Sequence, residues 1–131
     1  MATTIVHRRI PPKRILLVED ESLVAHTVRM ALVVDGHTVE IAQDGEQGLS
    51  MFKKGKPDLV IADFELPKVD GLELAQAIKE ASPECPIILI TAHADEIKSS
   101  MGKVSNIDVL LHKPFSVPEL HDSLLKIFPD P

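Results

Sequence analysis

A few polar side chains stand where only apolar ones are expected. Glu19 and Asp20 follow Leu16-Leu17-Val18, Asp63 follows Val60-Ile61-Ala62, Thr91 follows Ile88-Leu89-Ile90, and Lys113 comes just after Leu110-Leu111. Carboxylates brought together repel one another and resist ionising unless a positive charge neutralises them. A hard divalent cation, Mg2+ or Mn2+, suits a few oxygen ligands and keeps room for water and a phosphoryl oxygen. Asp63 would then act as a nucleophile toward phosphorus, because phosphoryl transfer asks mainly for in-line positioning and cancellation of charge on the equatorial oxygens. Lys113 could meet one of those oxygens as a point charge, and the Thr91 hydroxyl could donate to another.

Such a site requires elements that bring these positions to one edge. Short runs rich in Ile, Val and Leu recur at 14–18, 37–41, 58–62, 86–90 and 107–111, with segments of helical length between them. Apolar runs without alternation predict strands covered on both faces, and strands alternating with helices predict a parallel sheet of βαβ units. The expectation is an α/β fold: a (βα)5, doubly wound, five-stranded parallel sheet in the flavodoxin-like strand order 2-1-3-4-5. Ligands of open parallel sheets bind at the carboxyl ends of the strands, where strand order reverses. In that order strands 1 and 3 are neighbours, so Glu19, Asp20 and Asp63 converge.

Helix starts are written as capping boxes at Asp44-Gly45-Glu46-Gln47, Asp70-Gly71-Leu72-Glu73 and Ser116-Val117-Pro118-Glu119, and Phe115 with Leu120 forms a hydrophobic staple at the last. Leu120, Leu124, Ile127 and Phe128 continue that helix on one stripe until Pro129 stops it. The second helix is expected over 44–54, ending near Gly55, and Pro57 opens the third strand. The segment 95–106 predicts a short, polar, mobile fourth helix. Residues 1–12, closing on Pro11-Pro12, read as a flexible N-terminal leader, and 13–131 as one domain.

Composition narrows the function classes. A formal net charge of -6 over 131 residues disfavours direct contact with a nucleic-acid backbone. No apolar run approaches the roughly 18 residues of a membrane span. Cys85 is alone, so it has no intrachain disulfide partner and reads as a small buried apolar residue. A soluble, cytoplasmic protein is expected. Taken singly, an acidic pair is a solvated loop, Asp63 or Thr91 a cap, and Lys113 a surface lysine. Asp44, Asp70, Ser116 and Glu119 are read as caps, and His26, His37, His112 and His121 lack metal-ligand spacing.

Taken together and in order, Leu16-Leu17-Val18-Glu19-Asp20-Glu21, Asp63-Phe64-Glu65-Leu66-Pro67 with Asp70-Gly71, Thr91-Ala92 and Lys113-Pro114-Phe115 resemble the receiver domains of two-component response regulators. The resemblance covers about residues 13–129. It implies a phosphoacceptor switch rather than an enzyme, with Asp63 phosphorylated by a histidine kinase or a histidine phosphotransfer protein. It also implies metal ligation by Glu19, Asp20, Asp63 and the backbone carbonyl of Glu65, and a cis peptide before Pro114. A downstream protein partner would meet the helix 4–strand 5–helix 5 face, with a phosphorylation-dependent dimer as one outcome and neither nucleic acid nor membrane bound directly. Leu110 stands where the family usually carries Tyr or Phe, and Glu65 and His93 stand where side chains affect water attack on the phosphoaspartate. Leu110, Val109 and Met101 are read as core or partner-facing. The second reading is a receiver-fold binding module whose output ignores phosphorylation, motivated by Leu110. A haloacid-dehalogenase-type phosphohydrolase is a third, disfavoured by Glu65, where that chemistry uses Asp. A stand-alone receiver acting through protein contacts is the preferred arrangement.

Overall fold

The computed structural model describes residues 10–101 and 106–129. Strands and helices alternate: β1 (Arg14–Val18), α1 (Ser22–Val34), β2 (Thr38–Ala42), α2 (Gly45–Gly55), β3 (Leu59–Asp63), α3 (Gly71–Ala81), β4 (Ile87–Thr91), α4 (Ala94–Met101), β5 (Val109–His112) and α5 (Val117–Ile127). The strands form one sheet in the order β2-β1-β3-β4-β5, every neighbouring pair parallel. This is the order the sequence led us to expect.

The apolar runs explain the arrangement. All five positions of β3 and of β4 are buried, as strands covered on both faces require. Alternate residues feed two layers. Ile15, Leu17, Ile61, Ile88 and Ile90 pack with α1 and α5 through Ala25, Val28, Leu32, Leu120 and Leu124. Leu16, Val18, Val60, Ala62 and Leu89 pack with α2 and α3 through Phe52, Leu74, Ala75 and Ile78. The shorter α4 lies against β5 and buries Ala94 and Ile97.

Pairing keeps the carboxyl ends level: Val18 is in register with Ala42 and Ala62, Asp63 with Ile90, and Thr91 with His112. The functional positions therefore emerge at one edge. The chain turns from α2 to β3 through Lys56, whose φ of 45° caps the helix one residue past Gly55. The strand boundaries move slightly from expectation, β2, β3 and β4 by one residue each and β5 by two at its start.

Of the three expected capping boxes, one is reciprocal. Ser116 Oγ accepts from the Glu119 N–H and Glu119 Oε1 accepts from the Ser116 N–H. Asp44 accepts from the Gln47 N–H, but Gln47 reaches back to the Gln43 N–H, one residue early. Asp70 accepts from both Leu72 and Glu73 and acts as a one-sided cap.

Within the leader expected over 1–12, residues 10–12 are described. Ile10 is only 5% exposed and joins the α1/α5 layer, because its side chain finds apolar neighbours there that the two prolines after it do not obstruct. Residues 1–9, the side chain of Met101 and part of the expected mobile segment, 102–105, lie outside the described residues.

Candidate functional site

Asp63 is the last residue of β3, and three features of its surroundings fix its backbone. The next residue, Phe64, donates its N–H to the Ile90 carbonyl at 2.8 Å and accepts from the Gly71 N–H at 2.9 Å. The first residue of α3 sits so close that a Cβ on Gly71 would stand 2.6 Å from the Asp63 carbonyl oxygen and 2.6 Å from Leu89 Cδ1. Only glycine fits that approach. The carboxylate is 5% exposed. Its Oδ1 accepts from the Glu65 N–H at 2.8 Å, and its Oδ2 accepts from the Lys113 ammonium.

Glu19 follows β1 and is fixed on both sides. Its N–H donates to the Ala42 carbonyl at 2.9 Å, and its Oε2 accepts from the Glu21 N–H at 3.2 Å. At 3% exposure it is as buried as the core, with Lys113 Nζ 3.8 Å from its Oε1. Burial pushes its carboxyl up to about 7, with the Asp63 charge adding to the rise and the Glu21 N–H and Lys113 opposing it. Lys113 responds in the opposite sense: burial pulls its ammonium down, but contact with Asp63 and the charge of Glu19 more than offset this and hold it above the ordinary lysine value.

Thr91 ends β4 and is almost wholly buried. Its Oγ1 accepts from the His93 N–H at 2.9 Å, and its carbonyl accepts from the Lys113 N–H at 2.8 Å, tying the β4 and β5 exits together. The Lys113–Pro114 peptide is cis, in agreement with the resemblance.

The structure therefore gathers Glu19, Asp63, Thr91 and Lys113. It does not draw Asp20 into the same cluster. Asp20 is exposed, and among the described residues no group of three His, Cys, Asp or Glu side chains is arranged as a cation site. Asp20, expected to converge with Glu19 and Asp63, is exposed, and the ammonium of Lys113 lies against both buried carboxylates and relieves their repulsion. The donors still fit a hard divalent cation: buried Glu19 and Asp63 oxygens, the carboxylate of exposed Asp20 on the residue that follows Glu19, and a Glu65 backbone carbonyl on the loop whose N–H holds Asp63.

The Glu65 side chain points away from Asp63 toward His93, with Oε1 3.5 Å from Nε2, while His93 Nδ1 is 3.7 Å from Glu96 Oε2. These exposed groups link the loops after β3 and β4. Glu96 was not singled out from the sequence, although its place three residues after His93 on the opening turn of a helix was the available signal. Leu110 is partly buried and packs into the α2/α3 layer.

Three comparisons with known proteins agree. A family model described as the response regulator receiver domain matches residues 15–125. Among curated proteins, the transcriptional regulatory protein TrcR of Mycobacterium tuberculosis is 38% identical over 109 residues, covering 83% of this chain and 42% of that protein. The response regulator MprA of Mycolicibacterium vanbaalenii is 35% identical over 109 residues, covering 83% and 47%. The chain thus spans less than half the length of these two relatives. Among solved structures, the chemotaxis protein CheY4 of Vibrio cholerae aligns with TM-score 0.81 and 28% identity over 88% of this chain and 98% of that one. The response regulator TrrA of Thermotoga maritima, in complex with Mg2+-BeF, aligns with TM-score 0.80 and 34% identity over the same shares.

Proposed function

Because this chain belongs to the response regulator receiver-domain family of two-component systems, we propose that Asp63 accepts a phosphoryl group from a histidine kinase or histidine phosphotransfer protein and that the phosphorylated chain alters its protein contacts. The observation that supports this most is the Asp63 carboxylate at the carboxyl end of β3, buried yet gripped by Lys113 and the Glu65 N–H. A buried carboxylate with no chemical task is more cheaply replaced by an apolar residue, so its presence here among charged partners points to reactivity.

In the proposed step an Asp63 oxygen bonds to phosphorus while the bond from phosphorus to the donor's imidazole nitrogen breaks, and the imidazole keeps that electron pair. Lys113 is placed to follow a phosphoryl oxygen as charge moves from the carboxylate to the new group. The Thr91 hydroxyl already accepts from the His93 N–H, so its own proton is available to a second oxygen. Mg2+ or Mn2+ held by Glu19, Asp20, Asp63 and the Glu65 carbonyl supplies charge neutralisation on the phosphoryl oxygens when bound. The Mg2+-BeF complex of the TrrA neighbour supports this assignment. The chain works as a phosphoacceptor regulator, promoting its own labelling from acyl phosphates and its own dephosphorylation, without a separate substrate to turn over. Its site of action is cytoplasmic, and its downstream partner meets the α4–β5–α5 face, with phosphorylation-dependent pairing of that face as one form of output. Among the described residues no helix is long and apolar enough to cross a membrane.

Incubation with acetyl phosphate and Mg2+, followed by intact-mass analysis, tests the phosphoacceptor. The wild type gains one phosphoryl group and Asp63→Ala gains none; no gain on the wild type, or an equal gain on both, overturns the proposal. Leu110 favours a second reading, since a partly buried leucine has neither ring nor hydroxyl to turn inward with Thr91. If beryllofluoride and Mg2+ leave partner binding and oligomeric state unchanged, the chain is a binding module indifferent to phosphorylation.

A further inference from the structure

Given the phosphoacceptor role proposed above, on which this inference rests, labelled Asp63 is an acyl phosphate: its side-chain carbon Cγ carries a good leaving group and is open to any atom that brings it an electron pair. Nucleophiles within the same chain have the advantage of proximity. Two nitrogens stand close. The Lys113 ammonium touches Oδ2 but has no electron pair to give. The other is the backbone nitrogen of Phe64, the next residue, whose attack on Cγ closes a five-membered ring.

That ring would end the life of a switch. The Phe64 nitrogen bonds to Asp63 Cγ, the bond from Cγ to the phosphate oxygen breaks, phosphate leaves with the electron pair, and the nitrogen gives its proton to water. The product is a cyclic imide, one water lighter than the starting chain. It has lost the carboxylate that takes the phosphoryl group.

The structure holds the peptide between Asp63 and Phe64 at both of its ends. Its N–H donates to the Ile90 carbonyl at 2.8 Å, extending the β3–β4 ladder one step past the last paired residues, Asp63 and Ile90. Its carbonyl oxygen lies against the first turn of α3, so close that a Cβ on Gly71 would stand 2.6 Å away. The Gly71 N–H fixes that approach by donating to the Phe64 carbonyl at 2.9 Å. Ring closure requires this peptide to swing about the Asp63 Cα–C bond, out of the strand conformation, until its nitrogen faces Cγ. Because the peptide is planar, its N–H and C=O turn together. The swing therefore breaks the bond to β4 and displaces the oxygen from its packing on α3. Asp63 and Ile90 are 5% and 2% exposed, so water is poorly placed to replace the lost bond.

We propose that Phe64, through its backbone N–H, and Gly71, through its missing side chain, are positioning residues that keep the phosphoaspartate from cyclising. The phosphoryl group then leaves by hydrolysis or transfer alone, and Asp63 returns intact for another round.

Wild type labelled with acetyl phosphate and Mg2+, then rapidly desalted, is followed by intact mass at about pH 7.5 while it loses the label, native and in guanidinium chloride. The native chain returns to its starting mass, and the unfolded chain gives at least about tenfold more of the product one water lighter. Equal fractions in the two conditions overturn the proposal alone. A wild type that never gains the label overturns the phosphoacceptor reading and the proposal with it. Below the unfolding midpoint, urea raises the cyclisation rate of the labelled chain by the same factor as exchange of the Phe64 amide hydrogen, read by NMR in the form bound to beryllofluoride and Mg2+. Cyclisation that stays constant while exchange rises removes Phe64 from the role. Gly71→Ala, which crowds the Asp63 oxygen, raises the native yield of the lighter product at least about threefold. An unchanged yield in a folded variant removes Gly71, and if the variant does not fold, the urea series on the wild type decides.

Discussion

Lys113 is the residue on which the site's electrostatics turn. Its ammonium is the positive charge shared by two buried carboxylates, so Lys113→Ala leaves Glu19 and Asp63 facing each other without compensation. Labelling by acetyl phosphate slows on the order of 100-fold in that variant, read as the initial rate of mass gain. His37 carries a second residue-scale consequence. It is buried, its Nδ1 accepts from the Lys13 N–H at 3.1 Å, and burial holds its ring below the ordinary value of 6.5, with His121 and Lys13 adding to the fall against the pull of Asp35. The unfolded chain takes up a proton near 6.5 while the folded chain resists it. This stabilising contribution is therefore whole above 6.5 and is lost as pH falls through the folded value. Urea midpoints near pH 7.5 and about pH 5.5 differ more for the wild type than for His37→Gln, which keeps an acceptor but does not titrate; equal differences would refute the assignment.

At the scale of the element, the N-termini of α3 and α5 differ in what a substitution does. Gly71→Ala drives a methyl into the Asp63 carbonyl and Leu89, and a loss of about 1–3 kcal/mol in unfolding free energy is expected. Ser116→Ala removes one half of the reciprocal box on α5 and lowers stability by about 1 kcal/mol, without touching the phosphoacceptor. Chemical denaturation measures both. These elements were legible in the sequence because their signals are local: apolar runs of strand length, and a cap with its partner three residues on. Helix α1 was less so, since its N-cap Glu21 makes no side-chain cap bond and its start is marked only by the Glu21 N–H donating back to Glu19 Oε2, a bond that the residue types do not announce. The site was legible for a related reason. Polar residues directly after apolar runs fall on one edge once the strands are parallel, which placed Glu19, Asp63, Thr91 and Lys113 together. What sequence did not reveal depends on solvent and on distant neighbours: Asp20 turned outward, Ile10 buried and Glu96 beside His93.

At the scale of the whole molecule, a cation at the site acts on global stability, because the unfolded chain does not hold the Glu19 and Asp63 oxygens together. Mg2+ at about 100 times its dissociation constant adds about 2.7 kcal/mol, so the melting temperature rises with Mg2+ for the wild type. For Glu19→Gln the rise is smaller at the same concentration, and a rise equal to that of the wild type would remove Glu19 from the ligand set. The two extremities of the described domain bear on how a signal leaves it. Lys13 Nζ lies 4.4 Å above the ring of Phe128, so the entry to β1 and the exit from α5 meet at one pole. Asp63 is at the other pole, a strand length away, about 17 Å. Anything tethered to either extremity, whether a fluorescent tag, a host loop receiving this domain as an insert, or another folded module, shares that pole with its counterpart. The point of attachment itself lies away from the mouth of the site, where a donor arrives. At those two points the phosphoryl group is felt through a change relayed along the helices and strands between the poles.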